Sequence, residues 1–375
     1  MRITFVLPDA NLGGGTRMIA QHADILCRRG HDVFILSRPP WDLPLRVKVT
    51  TLLKGKPWPP RPPHRPPSHL DGLDLNHRTL SRRRPVTDRD LPDADVVIAT
   101  WWQTAPGVAS LSKSKGAKAY FIQHYEALLG HSDELVGATW RLPLQKIVCA
   151  QWLADLARDQ FNDPNAIVAR NGLNVDLFNA PPRGKHAQPT VGMMYSPSPA
   201  KGWDAGLEAF ASVARRVPGL KLKAFGTSTP STPLPPGSEF SLMPPQRQIR
   251  EIYASCDVWL CSSRSEGYHM PPIEAMGCRC PPVATKVGGP GDVIQEGISG
   301  FLVDIDDVEA IAEKVVGVLN LSLPEWTRLS DAAYATARDF NASDATDVFE
   351  QALYATIERS GAQAVPAAES RGAGF

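Results

Sequence analysis

Short, uniformly apolar runs alternate with longer amphipathic stretches along most of the chain. The run "ITFVLP" near the start has no polar face to turn toward water, which predicts a strand inside a parallel sheet. After the loop "DANLGGG", the stretch "TRMIAQHADILCRRG" places Met18, Ile19, Ala23, Ile25 and Leu26 on one helical stripe that stops at Gly30. "HDVFILS" predicts the next strand. Further strands are predicted at "ADVVIAT" (94–100), "AKAYFIQ" (117–123), "KIVCA" (146–150) and "AIVAR" (166–170). This β-loop-α-β order is that of a doubly wound α/β sheet.

The pattern then starts again. "PTVGMMYS" (189–196) and "LKLKAFG" (220–226) read as strands around a helix at "WDAGLEAFASVARRV" (203–217). A helix at 247–256, strands at 257–263 and 280–287, and an amphipathic helix at 308–321 follow. The Pro/Gly-rich "NAPPRGKHAQP" separates the halves. The expected organisation is one Rossmann-like domain at 1–180, a second at 188–340, a helix at 341–360 able to pack back on the first domain, and a flexible tail at 361–375.

Length and composition narrow the function. A chain of 375 residues suits two domains, and 43% hydrophobic residues suffice for two cores. A formal net charge of +1 argues against a general nucleic-acid binder. The six cysteines are scattered, without metal spacing, as in a reduced cytoplasmic protein. No run approaches the ~20 apolar residues of a membrane span. One segment breaks the regularity: "KPWPPRPPHRPPSHLDG" and the "RRR" at 82–84 form a Pro/Arg-rich insertion at 54–89. From Arg46 to Arg89, eleven Lys/Arg face only Asp71, Asp74 and Asp88. That composition reads as a solvated, partly disordered insertion. A sharper reading makes segment 46–89 a basic surface for an anionic acceptor or for peripheral contact with the inner face of a membrane.

In doubly wound sheets, ligands sit beyond the carboxyl ends of the strands. Two such domains face each other across a cleft. A dinucleotide enzyme is disfavoured, because the third glycine of its fingerprint is Met18 and the second strand ends in "SRPP" rather than an acidic residue. "SRSEGYHMPPIEAMGC" (263–278) places Glu266 in a strand-exit loop. Its Pro271-Pro272 step suits a helix start, with Glu274 in the first turn. Carboxylates suit the vicinal hydroxyls of ribose or a sugar, and helix amides suit a diphosphate. Together they suggest a nucleotide sugar.

The Glu-x7-Glu element and the later "TKVGGPGDVIQEGISGFLV" resemble the retaining GT-B glycosyltransferases of family 4. "LGGGTRMIAQHADILCRRGHDV", "RNGLNVDLF" and "AKGWDAGLEAF" extend the resemblance over nearly the whole chain. "TWWQTAP", "YFIQHYE" and "MYSPSPAKG" are similar to bacterial surface-polysaccharide members, including rhamnosyltransferase-like ones. The resemblance implies an acceptor-side first domain, a donor-binding second domain and transfer from a nucleotide-diphosphate sugar to a glycan, lipid-linked or small-molecule hydroxyl, with neither metal nor cofactor. It also assigns residues. Glu266, Lys201 and His124 are the expected catalytic group. Glu274 is expected on the ribose, with Gly14, Gly15, Ser196, Arg264, Gly267, Tyr268, Met270, Pro271 and Ile273 around the donor. Ser196 stands where the family carries an arginine, so the missing charge is sought in Arg264 or Arg17. The "DID" at 304–306 reads as helix capping rather than a metal site. The rival readings are a nucleotide-sugar epimerase and a degenerate binding scaffold.

Overall fold

In the computed structural model, which describes residues 1–361, the chain builds two sheets whose strand pairs are all parallel. The first contains β1 (Arg2–Leu7), β2 (Asp32–Ser37), β3 (Asn76–Thr79), β4 (Val96–Ala99), β5 (Ala117–Ile122), β6 (Gln145–Val148) and β7 (Ile167–Val168), ordered β3-β2-β1-β4-β5-β6-β7. Its helices are α1 (Gly14–Arg28), α2 (Leu45–Leu53), α3 (Ala105–Ala109), α4 (Asp133–Trp140) and α5 (Gln151–Phe161). The second sheet contains β8 (Thr190–Tyr195), β9 (Lys221–Gly226), β10 (Glu239–Leu242), β11 (Val258–Cys261), β12 (Pro282–Thr285) and β13 (Phe301–Val303), ordered β10-β9-β8-β11-β12-β13. Around it lie α6 (Trp203–Arg216), α7 (Gln246–Ala254), α8 (Met270–Gly277), α9 (Pro290–Val293), α10 (Val308–Asn320) and α11 (Leu323–Arg338). The last helix, α12 (Ala342–Arg359), leaves the second domain and packs on α1 and β5 of the first.

The central strands explain the two-sided architecture. All four residues of β4 are fully buried, so both faces of that strand must be covered. Strand order reverses between β1 and β4 in one sheet and between β8 and β11 in the other. At such switch points the loops leaving neighbouring strands part and open a crevice. The connections leaving β1, β8 and β11 bring in Gly14, the first residue of α1, then Lys201 and Glu266, respectively. The fold therefore delivers these residues to the crevices.

Three sequence expectations change. The Pro/Arg-rich insertion is partly built into the body: Asn76–Thr79 form the edge strand β3, and Leu70, Leu80 and Val86 are buried. Arg84 pairs with Asp90 at 2.6 Å, and Arg83 donates to the carbonyls of Pro8 and Pro39. The "DID" run does not cap α10: Asp307 does, accepting from the Ala310 amide at 3.0 Å, while Asp304 pairs with Lys286 and Asp306 with Arg264. Glu274 is the fifth residue of α8, in its second turn. The expected tail lies, from residue 362 onward, outside the described residues.

Candidate active site

Lys201 ends a short 3-10 turn after β8, and the next residue decides where it points. Gly202 has φ +60°, and a Cβ there would lie 1.8 Å from the Ser262 carbonyl oxygen. A side chain would push the turn away from the exit of β11. With glycine in place, the turn presses against that exit and the Lys201 ammonium reaches both oxygens of Glu266, at 2.8 and 2.7 Å. Ser263 Oγ donates to the same carboxylate at 2.8 Å, and His269 Nε2 stands 3.6 Å away.

Burial alone would push the Glu266 carboxyl up, but its polar neighbours outweigh that effect and hold it below its ordinary value. His269 is buried and titrates at about 4, so it is neutral over most of the useful pH range. His269 and Lys201 both favour the ionised form of Glu266, and Lys201 is the one that bonds both of its oxygens.

The first domain supplies the facing wall. His124 follows β5, and burial lowers its pKa. Its Nδ1 stands 2.9 Å from the Tyr125 carbonyl, which can only accept, so Nδ1 carries the proton. Nε2 is then free to accept from Ser265 Oγ at 3.2 Å. The domains meet closely at Gly267, where an added Cβ would fall 1.6 Å from the Gln123 carbonyl oxygen. Trp152 Nε1 donates to the Gly267 carbonyl at 2.8 Å. Gln123 Nε2 donates to the Gly15 carbonyl at 3.2 Å, tying the glycine turn before α1 to the same seam.

Glu274 faces a second part of the seam. It is only 2% exposed. Tyr253 Oη donates to it at 2.9 Å, and the Arg17 guanidinium of the first domain pairs with its other oxygen. Burial and the adjacent carboxylate keep the Tyr253 phenol protonated, as a donor. Arg17, Met270 and Glu274 line a cavity of about 760 Å³ with His69, Leu173 and Gln246. Lys201, His269 and Pro271 instead surround a void of about 10 Å³ on the other side of the α8 N-terminus. The larger volume therefore lies at Glu274, and only the small void reaches Lys201.

The remaining expected residues divide. Gly288 lies against the Glu266 and Gly267 carbonyls, and the Gly289 amide donates to the Tyr268 carbonyl at 2.8 Å, which holds the Glu266 loop from behind. Tyr268 and Ile273 are buried in the core, facing away from open volume. Ser196 Oγ accepts from the Ser198 amide at 3.3 Å. Arg264 is not brought to either carboxylate: Asp204 and Asp306 hold its guanidinium at 2.7–2.9 Å. The residue that sequence reasoning left undecided is Arg17. The signal for it is its position one turn into α1, at the mouth of a switch-point crevice.

Comparison with known proteins bears on the fold that carries this geometry. Residues 189–320, the core of the second domain, match the family model for glycosyl transferases group 1. The chain is 34% identical over 119 residues to a D-inositol 3-phosphate glycosyltransferase of Segniliparus rotundus, a match spanning 28% of this chain and 26% of that protein. The corresponding protein of Mycobacterium avium is 27% identical over 222 residues, covering 53% of this chain and 50% of its own length. The chain thus spans between a quarter and a half of these two curated relatives. Among solved structures, Anabaena HepE in complex with UDP and glucose superposes with a TM-score of 0.72 at 15% identity, over 95% of this chain and all of that one. Sucrose-phosphate synthase from Thermosynechococcus elongatus gives 0.70 at 16% identity, over 96% and 100%. These likenesses show the GT-B fold, two Rossmann-like domains about one cleft.

Proposed function

We propose that the chain is a retaining glycosyltransferase of family 4 that moves a sugar from a nucleotide-diphosphate donor to an acceptor hydroxyl, in bacterial polysaccharide or glycoconjugate synthesis. One observation carries the reading: an ammonium-bridged glutamate and a second, cross-domain-bridged glutamate lie eight residues apart along the seam between two switch-point crevices. Glu274 takes the ribose hydroxyls. Glu266 takes hydroxyls of the sugar, and Lys201 turns from Glu266 toward the diphosphate as negative charge develops on it. In this reading Lys201, rather than a metal ion, faces the leaving group. Stabilising that developing charge is the largest single contribution such a site can make.

No carboxylate is placed as a nucleophile in this scheme. The bond from the anomeric carbon to the phosphate oxygen breaks, and the acceptor oxygen adds on the same face. The departing phosphate oxygen takes the acceptor's proton, and the same-face addition preserves configuration. His124, neutral and with its Nδ1 proton committed to Tyr125, offers Nε2 as an acceptor toward the sugar. The complex of HepE with UDP supports UDP as the nucleotide to try first.

The reading is tested by thermal-shift measurements with UDP, dTDP and GDP, followed by incubation with the sugar donors of whichever nucleotide stabilises the chain. Transfer or slow hydrolysis with an α-configured product from an α-configured donor is expected. A changed sugar released without any acceptor identifies an epimerase instead. Absence of any nucleotide binding identifies a scaffold.

A further inference from the structure

The stretch from Trp41 to Pro67 leaves the body after β2 and is exposed along most of its length. Its helix, α2, turns Lys48 inward, where the ammonium pairs with Asp42 at 2.7 Å. At 100° per residue, Leu45, Val49, Leu52 and Leu53 fall within one arc of about 100°, the width of an apolar helix face. That face meets nothing: Leu45 is 69% exposed and Leu53 81%. Trp41 and Trp58 flank the helix, 61% and 48% exposed. The basic residues beside them are equally bare. Arg46, Lys54, Lys56 and Arg61 are exposed, and none of the first three has an ion-pair partner among the described residues. Asp42, already paired, is the only acidic residue between positions 39 and 67.

We propose that α2 and its flanks form an in-plane docking surface for a bilayer carrying anionic lipid. The apolar face of a short helix, with tryptophans at its ends and unpaired cations around it, matches the headgroup boundary. Leucines enter the acyl region, indole rings sit at its edge, and ammonium and guanidinium groups meet phosphates. A second copy of the chain is the poorer occupant, since it would bring the same unpaired cations face to face. Arg78, Arg83 and Arg84 are not part of this surface, because they are tied into the body. The segment returns at His69, whose ring pairs with the Leu12 carbonyl at 3.0 Å and whose side chain lines the 760 Å³ cavity. Docking thus fixes the mouth of that cavity beside the headgroups. The proposal is independent of which reaction the cleft performs.

Co-sedimentation of the full chain with sucrose-loaded vesicles tests it. Vesicles of phosphatidylcholine alone and of phosphatidylcholine with phosphatidylglycerol are compared, at low and high salt. The chain is expected to pellet with the anionic vesicles and to be released by salt. The Arg46→Glu, Lys54→Glu, Lys56→Glu triple variant should lose at least about a hundredfold in partitioning to anionic vesicles. Leu45→Ser with Leu53→Ser should lose binding while keeping the wild-type melting temperature, because neither side chain is packed. Equal partitioning to both vesicle types, or variants that pellet like wild type, overturns the proposal. So does a lipid-free dimer in sedimentation equilibrium that the serine variant abolishes, since it would assign the face to a second copy.

Discussion

The Lys201 ammonium serves two charges in turn. In this structure it favours ionised Glu266 against burial, and in the proposed reaction it meets the leaving diphosphate. Lys201→Ala should therefore do two separable things. Turnover should fall by about a hundredfold to a thousandfold, the usual cost of removing one preorganised charge at a developing anion. The acid limb of kcat/KM should also move to higher pH. The sign follows from burial: without the ammonium, the neutral His269 and Ser263 Oγ alone oppose desolvation, so Glu266 takes up a proton at a higher pH than in wild type. A pH–rate profile of wild type and variant decides it, and an unmoved acid limb means that Lys201 does not set the charge of Glu266. Glu274 calls for a different readout. Glu274→Gln keeps the shape and loses the charge-assisted bonds, so nucleotide affinity by calorimetry should fall roughly tenfold to a hundredfold while turnover at saturating donor changes little.

At the scale of elements, α12 couples the far end of the chain to the first domain through one unusual contact. His22 of α1 is fully buried, stacked on Phe349 at 4.6 Å between ring centroids and hydrogen-bonded to Thr346 at 2.9 Å. Burial, aided by Arg29, lowers its pKa to about 4. In the unfolded chain it titrates at about 6.5. Between those values the unfolded state holds the extra proton, so stability should decline as pH is lowered from 6.5 toward 4. The effect is on the order of 3 kcal/mol for this residue. Melting temperatures across that window should fall for wild type and fall less steeply for His22→Gln. Helix α12 was legible in the sequence because its apolar stripe is regular, and so were β1, α1, β4, β5, β8, α6 and β9. The elements that were not legible share a physical reason. Asn76–Thr79 forms an edge strand with polar side chains, β10 and β13 are short, and α2 exposes its apolar face to solvent instead of a core. Periodicity reports burial, and these elements are not buried in the ordinary way. The site divides similarly. Lys201 and Glu266 could be paired from their loops because both follow strands of one sheet. The partnership of Arg17 with Glu274 spans 257 positions and both domains, and Arg264 was lost to two aspartates that local sequence does not bring together.

For the molecule as a whole, the proposed function makes the Arg17–Glu274 bridge a competitor of donor binding. The bridge joins α1 to α8 across the seam, alongside the Trp152–Gly267 and His124–Ser265 hydrogen bonds. In the proposed reading the ribose hydroxyls need the oxygens of Glu274 that Arg17 now occupies, so nucleotide entry must release the guanidinium. Arg17 stands one turn from the glycine-rich start of α1, and the second domain has Ser196 where a second cation would help hold the diphosphate. A released Arg17 is the nearest candidate for that charge, supplied from the opposite domain. Two consequences follow for Arg17→Ala, and they have opposite signs. Nucleoside binding should strengthen or stay level, because Glu274 no longer has to give up a partner. Binding of the nucleoside diphosphate should weaken by about tenfold or more, the worth of a charge-assisted contact to phosphate. Calorimetry with uridine and UDP, or with whichever base the thermal-shift screen selects, reads both at once. The ratio of the two affinities is the quantity to compare, since it cancels any general change in how the domains close. If both affinities rise together, Arg17 is a latch and nothing more. If the ratio falls, the same guanidinium that bridges to Glu274 across the domains neutralises the leaving group when the donor binds.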